Sequence, residues 1–208
     1  MAQNAARRSV MTLYSGMNCP LSHRTRMALA EKNISVEVLF VDKDSLPEDL
    51  IDLNPYHTLP VLVDRDLVLY NDHIIMEYLD ERYPHPPLMP VDPVSRARTR
   101  LMMYRIDRDL FNVVDDIVSG HASAADNARR IIRDGLTAIA PIFAKKPFFM
   151  SDEITLMDCS LTSLLWRLPA LGIKLPPQAD PVTKYAERMF ARESFQASLT
   201  NLERDLQP

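Results

Sequence analysis

The chain has 208 residues, 47% hydrophobic and 25% charged, enough for one large domain or two small ones with a real core. Its 24 Lys plus Arg against 28 Asp plus Glu leave a net charge of −4, which excludes a global attraction to nucleic acid or an anionic membrane. Only four glycines occur, isolated at Gly16, Gly120, Gly135 and Gly172, which excludes the clustered-glycine phosphate loops of dinucleotide and P-loop enzymes.

The start, residues 1–8, is polar, and the apolar run at 10–14 is too short for a signal-peptide core. That run reads as a strand. Residues 21–32 read as a helix opened by Pro20, and 36–41 as a second strand. A short helix is expected at 47–53. Residues 61–64 and 67–70 form a hairpin about an Arg65-Asp66 turn. A helix from Asp72 closes the unit, with Ile74, Ile75, Tyr78 and Leu79 on one face. The order β-α-β-α-β-β-α predicts a small mixed sheet with helices packed on it, an α/β domain over residues 1–83.

Five of the sixteen prolines fall between residues 84 and 93, namely Pro84, Pro86, Pro87, Pro90 and Pro93. Proline lacks a donor and fixes φ, so this stretch reads as a stiff, extended linker. Beyond it, residues 94–208 read as an all-helical domain. Met103, Ile106, Leu110, Val113 and Ile117 form the stripe of one long helix, and further helices are expected at 122–143, 156–168, 181–191 and 195–205. Thr155 with Asp158 three residues on makes a capping box at the start of one of them.

Cys19 and Cys159 are too few for a disulfide scaffold, so a reducing, cytoplasmic setting is expected. The histidines lie far apart and no metal site is expected. Cys19 falls after the first strand, at or near the N-cap of the next helix, where unpaired N–H groups and the macrodipole stabilise a thiolate. His23 and Arg24, one turn on, are expected to add to this. Without a resolving thiol in Cys-x-x-Ser, the chemistry open to Cys19 is monothiol chemistry with glutathione.

Pro60 before a β-run belongs at a strand's first position; a cis Leu59-Pro60 bond would leave the Leu59 backbone open to an extended, peptide-like ligand. Asp72 reads as the N-cap of its helix, and its charge would repel an anionic ligand there by roughly 1–4 kcal/mol. His85, set among prolines, is expected to be exposed, on a pre-ordered and therefore low-entropy docking ridge. The arginines Arg96, Arg98, Arg100, Arg105 and Arg108 read as a solvated helix face paired with Asp107 and Asp109.

Residues 10–83 resemble the thioredoxin-like domain of cytosolic glutathione transferases: Cys19-Pro20 followed by Ser22 to Arg26 looks like the omega-type motif, and Leu59-Pro60 matches the family's cis-proline. The string from Glu77 to Pro90, with Leu165-Trp166-Arg167-Leu168-Pro169, Leu171-Gly172-Ile173 and Ser194 to Thr200, is more specifically similar to the stringent starvation protein A family. That resemblance implies a dimeric bacterial transcription regulator of the starvation response. Such a protein would associate with RNA polymerase holoenzyme through its primary sigma factor, without transferase catalysis, cofactor, membrane contact or sequence-specific nucleic-acid binding of its own.

The resemblance places the partner-binding pocket at Pro84, His85 and Pro86, with Asp92 where relatives commonly carry tyrosine. It makes Cys19, Leu59, Pro60, Asn71 and Asp72 a vestigial glutathione-type site. Transferases usually have an acidic residue and then serine at the positions of Asn71 and Asp72, and that serine recognises the γ-glutamyl carboxylate. The alternative is an omega-like, glutathione-dependent thiol transferase with Cys19 as its nucleophile.

Overall fold

The computed structural model describes residues 10–206; the polar start at 1–8 and the outer ends of both predicted domains lie outside the described residues. Strand β1 (Thr12–Gly16) leads into α1 (Pro20–Glu31), β2 (Glu37–Val41), α2 (Glu48–Leu53), β3 (Val61–Asp64), β4 (Leu67–Tyr70) and α3 (Asp72–Arg82). The sheet order is β2-β1-β3-β4, with β1 parallel to β2 and antiparallel to β3. Pairing from Thr12↔Glu37 to Gly16↔Val41 sets the extent of β1, which therefore starts and ends two residues later than the apolar run. Pro20 opens α1, where its missing N–H is harmless and its fixed φ is already helical. In α3 the inward row is Asp72, Ile75, Met76 and Leu79, and Ile74 is exposed; the face predicted through Ile74 is turned by one residue.

After the linker come α4 (Pro93–Ile106), a π-helical turn (Asp107–Phe111), α5 (Val114–Ser119), α6 (Ala122–Phe143), α7 (Leu156–Leu165), α8 (Asp180–Phe190), α9 (Glu193–Ser198) and α10 (Asn201–Arg204). The single helix expected through residues 103–117 is thus interrupted. The Asn112 amide donates to the Asp107 carbonyl at 2.9 Å, which closes a wider turn and adds a residue to it. The helix expected over 195–205 breaks at Leu199 and Thr200, both extended, where Thr200 and Glu203 form a reciprocal cap for α10. The capping box at Thr155 and Asp158 is present as expected.

Every residue of α7 is buried, and α1 packs on α7 and α9. The larger core consequently crosses the linker: Met27, Ala28 and Met76 share a cluster with Leu136, Leu161 and Phe195. Leu13, Leu62, Ile75 and Leu79 form a smaller cluster beneath the sheet. Among the described residues no helix is long and apolar enough to cross a membrane, and no group of three or more His, Cys, Asp or Glu side chains stands together as a metal site.

Candidate functional site

Two places gather the residues singled out in the sequence. The first is the corner between β1, α1 and the β3 strand start. Cys19 is the N-cap of α1, half-buried, with Sγ accepting from the Ser22 amide at 3.5 Å. The Leu59-Pro60 bond is cis. Gly16 joins these pieces: a Cβ there would lie 2.8 Å from the Cys19 Cβ and 3.6 Å from a Leu59 methyl, so no side chain fits. Cys159 is fully buried, and burial pushes its thiol well above the ordinary range; Cys19 is the thiol open to chemistry.

The helpers expected of Cys19 are engaged elsewhere. His23 is fully buried, 2.9 Å from Arg167 at Nδ1 and 3.0 Å from the Ser198 hydroxyl at Nε2. Burial, then Arg167 and Arg26, lower its pKa well below the usual value, so the ring is neutral and brings no positive charge to the thiol. With arginine able only to donate, Nδ1 is the acceptor and Nε2 carries the proton. Arg24 is buried as well, its Nε against the Asp72 carboxylate and its Nη1 2.5 Å from Asp107 Oδ1. Burial works against the charge of Arg24, but Asp72 and Asp107 outweigh it and raise its pKa. Burial also lowers Arg167, with Glu203 acting in the opposite direction.

The N-cap of α3 is Asn71, not Asp72. Asn71 adopts φ +75°, a region that Asn tolerates better than most residues, and its Oδ1 accepts from the His73 and Ile74 amides at 3.1 and 3.4 Å. Asp72, one residue on, turns inward to Arg24. Its charge is therefore matched by a buried cation, which corrects the expectation of a bare carboxylate facing any ligand. The π-helical turn brings Asp107 against both Arg24 and His73, while Phe111 lies 4.6 Å beneath the Arg24 guanidinium. Burial alone would raise Asp107, but hydrogen bonds from His73 and Arg24 outweigh it and pull the carboxyl down. Asp107 is thus not a partner of the α4 arginines, although Arg105 does face Asp109 at 4.0 Å. Arg100 instead grips Glu77 of α3, with its Nε 3.0 Å from both carboxylate oxygens.

The second place is the linker. Pro84, His85, Pro86 and Pro87 are all exposed, whereas Leu88 and Met89 immediately after them are buried in the larger core. The His85-Pro86 bond is cis. Asp92 is exposed and caps α4, accepting from the Ser95 amide at 2.7 Å; that hydrogen bond holds its carboxyl below the usual range. A cavity of about 500 Å³ beside the linker is lined by Pro90, Ser95, Arg98, Thr99 and Lys146, and Pro84 to Pro87 stand outside it as a ridge. Behind the ridge lie Lys32 and Asp80, 2.8 Å apart and buried. No local sequence signal marks this pair, because each reads as an ordinary helix-surface charge.

Comparison with known proteins follows the same two halves. The family described as "Glutathione S-transferase, N-terminal domain" matches residues 9–81, and "Glutathione S-transferase, C-terminal domain" matches residues 92–193. The chain is 50% identical over 201 residues to a stringent starvation protein A homolog of Coxiella burnetii, covering 96% of each chain. It is 48% identical to the homolog of Pasteurella multocida, covering 96% of this chain and 94% of that one. Among solved structures, a Tau class glutathione S-transferase from mango superposes with a TM-score of 0.83 at 24% identity, covering 96% of each chain, a likeness of fold.

Proposed function

The chain belongs to the stringent starvation protein A family within the glutathione S-transferase fold, and from that membership we propose that it is a non-enzymatic regulator of transcription. In this reading it acts in the cytoplasm during bacterial starvation or stress, docking on RNA polymerase holoenzyme through the primary sigma factor and bringing no cofactor of its own. The docking surface is Pro84, His85 and Pro86, with Asp92 at its edge. The observation that carries the reading is the exposed Pro-His-Pro-Pro ridge set on a backbone anchored at once by buried Leu88 and Met89. Such a surface loses little conformational entropy on binding.

A homodimer belongs to the same reading. Val94, Leu101 and Tyr104 are exposed along one row of α4, and the Arg100–Glu77 pair ties that row to exposed Ile74 of α3. An apolar stripe of this kind fits a second copy of the chain.

The test is affinity capture from a bacterial lysate, probed for polymerase subunits. Wild type is expected to retain holoenzyme and a Pro84→Ala/His85→Ala variant to lose it; equal retention would remove the ridge from the mechanism.

One observation favours a second reading. Cys19 sits half-exposed at a helix N-terminus beside Leu59 and its cis-proline, an arrangement suited to a mixed disulfide with glutathione. Against it, the position expected to recognise the γ-glutamyl carboxylate holds Asp72, already paired with Arg24. Disulfide reduction with glutathione that disappears in Cys19→Ser would establish this activity, and its absence in wild type would dismiss it.

A further inference from the structure

Three of the four residues from Pro84 to Pro87 are prolines, so this stretch has few amide donors with which to hold its own shape. Its carbonyls are the remaining handles. Lys32, the C-cap of α1, takes them up. Its side chain is fully buried, and Nζ donates to the Tyr83 carbonyl at 2.6 Å and to the Pro86 carbonyl at 2.7 Å. The third ammonium proton is matched by Asp80 Oδ1 at 2.8 Å.

Asp80 extends the clamp. The same Oδ1 accepts from the Leu88 amide at 2.7 Å, and Oδ2 faces Arg96 of α4 at 3.8 Å. The Leu88 carbonyl in turn accepts from the Leu156 amide at 3.0 Å, which fastens the end of the ridge to α7. Backbone atoms before, within and after the ridge are therefore pinned from inside, while the side chains of Pro84, His85 and Pro87 remain exposed.

We propose that Lys32 and Asp80 are positioning residues for partner docking: they fix the conformation in which the ridge meets the polymerase, without touching the partner. A buried ion pair is weak evidence for stability, because well-packed apolar groups often replace one at little cost. Here all three ammonium protons serve the linker or the residue that holds it, so the specific consequence of losing Lys32 is a released ridge. The proposal rests on the docking function assigned above.

The experiment compares full-length wild type, Lys32→Met and His85→Ala for holoenzyme binding, and follows amide hydrogen exchange at Leu88 and strand β1. For Lys32→Met, exchange at Leu88, whose amide donates to Asp80, is expected to rise at least about tenfold while β1 stays protected, and holoenzyme binding to weaken about tenfold. A merely structural role would loosen β1 along with the ridge and overturn the proposal. Unchanged binding by Lys32→Met, with binding lost in His85→Ala, would overturn it too and leave the docking function standing. Wild-type binding by His85→Ala would remove both. Should Lys32→Met fail to fold, Asp80→Asn keeps an acceptor for the Leu88 amide and removes the charge facing Lys32. Weaker binding by that variant supports the clamp, and unchanged binding refutes it.

Discussion

The thiol corner and the linker ridge hold their polar groups in opposite ways. At the corner the side chains satisfy one another: Arg24 takes Asp72 and Asp107, Arg26 and Arg167 share Glu203, and His23 sits neutral between Arg167 and Ser198. At the ridge the backbone is held from behind and the outward side chains have no work to do in the fold. An incoming carboxylate at α3 would have to compete with Asp72 for Arg24, whereas a partner at the ridge meets groups with nothing to give up. In one fold, then, a corner is closed to ligand charge when its own charges pair internally, and a surface is left free where order and exposure coincide.

If that contrast is right, the largest effects on stability come from the inward network. Glu203 is fully buried and meets two buried guanidinium groups. It also closes the cap of α10 by accepting from the Thr200 amide at 3.0 Å. Glu203→Ala leaves Arg26 and Arg167 without their counter-charge and is expected to destabilise the chain by about 3–5 kcal/mol in urea unfolding. A loss below about 1 kcal/mol, the range of surface ion pairs, would break the contrast, since it would mean that water already serves these groups.

A smaller effect comes from pH. The folded-state pKa of His23 lies well below its unfolded value of about 6.5, depressed first by burial and then by Arg167 and Arg26. Its contribution is therefore fully present above pH 6.5 and is lost as acid charges the unfolded imidazole, by at most about 1.4 kcal/mol per pH unit. Thermal unfolding from pH 7.5 down to 5 is expected to show this slope in wild type and a flatter one in His23→Gln. Asp107, held down by His73 and Arg24 against the upward pull of burial, adds its own loss only below about pH 4. Identical slopes in the two proteins would mean that His23 binds a proton in the folded state.

What could be read from the sequence divides along similar lines. Pro20 at the first turn of α1, the two-residue turn at Arg65-Asp66 and the Thr155–Asp158 box are local signals, and each was legible. So was the exposure of His85, because a proline-rich stretch has no sheet or helix to enter. The charge network was not legible. Arg26 and Glu203 are 177 residues apart, and Lys32 meets a carbonyl 54 residues away, separations at which no periodicity reports a pairing. An unbroken helix would put Asp107 among the neighbouring arginines; the π-helical turn carries it to Arg24 instead. At Asn71 and Asp72 two good capping residues adjoin, and tertiary pairing with Arg24 decided between them.

The smallest effect sharpens the contrast most. His85 is exposed, lies outside both hydrophobic clusters named above and is followed by residues that carry the anchoring. Removing its imidazole uncovers no buried donor or acceptor and opens no cavity, so His85→Ala is expected to change unfolding stability by no more than about 0.5 kcal/mol. The thermal midpoint of the variant, set beside its retention of polymerase, separates the two regions in one measurement. A stability loss of about 2 kcal/mol would give the imidazole a place in the fold, and the ridge would then belong to the inward-facing regime of the corner. Unchanged stability with lost capture is what a surface whose order is supplied from beneath predicts: the backbone below it carries the structure, and the side chain above it carries only recognition.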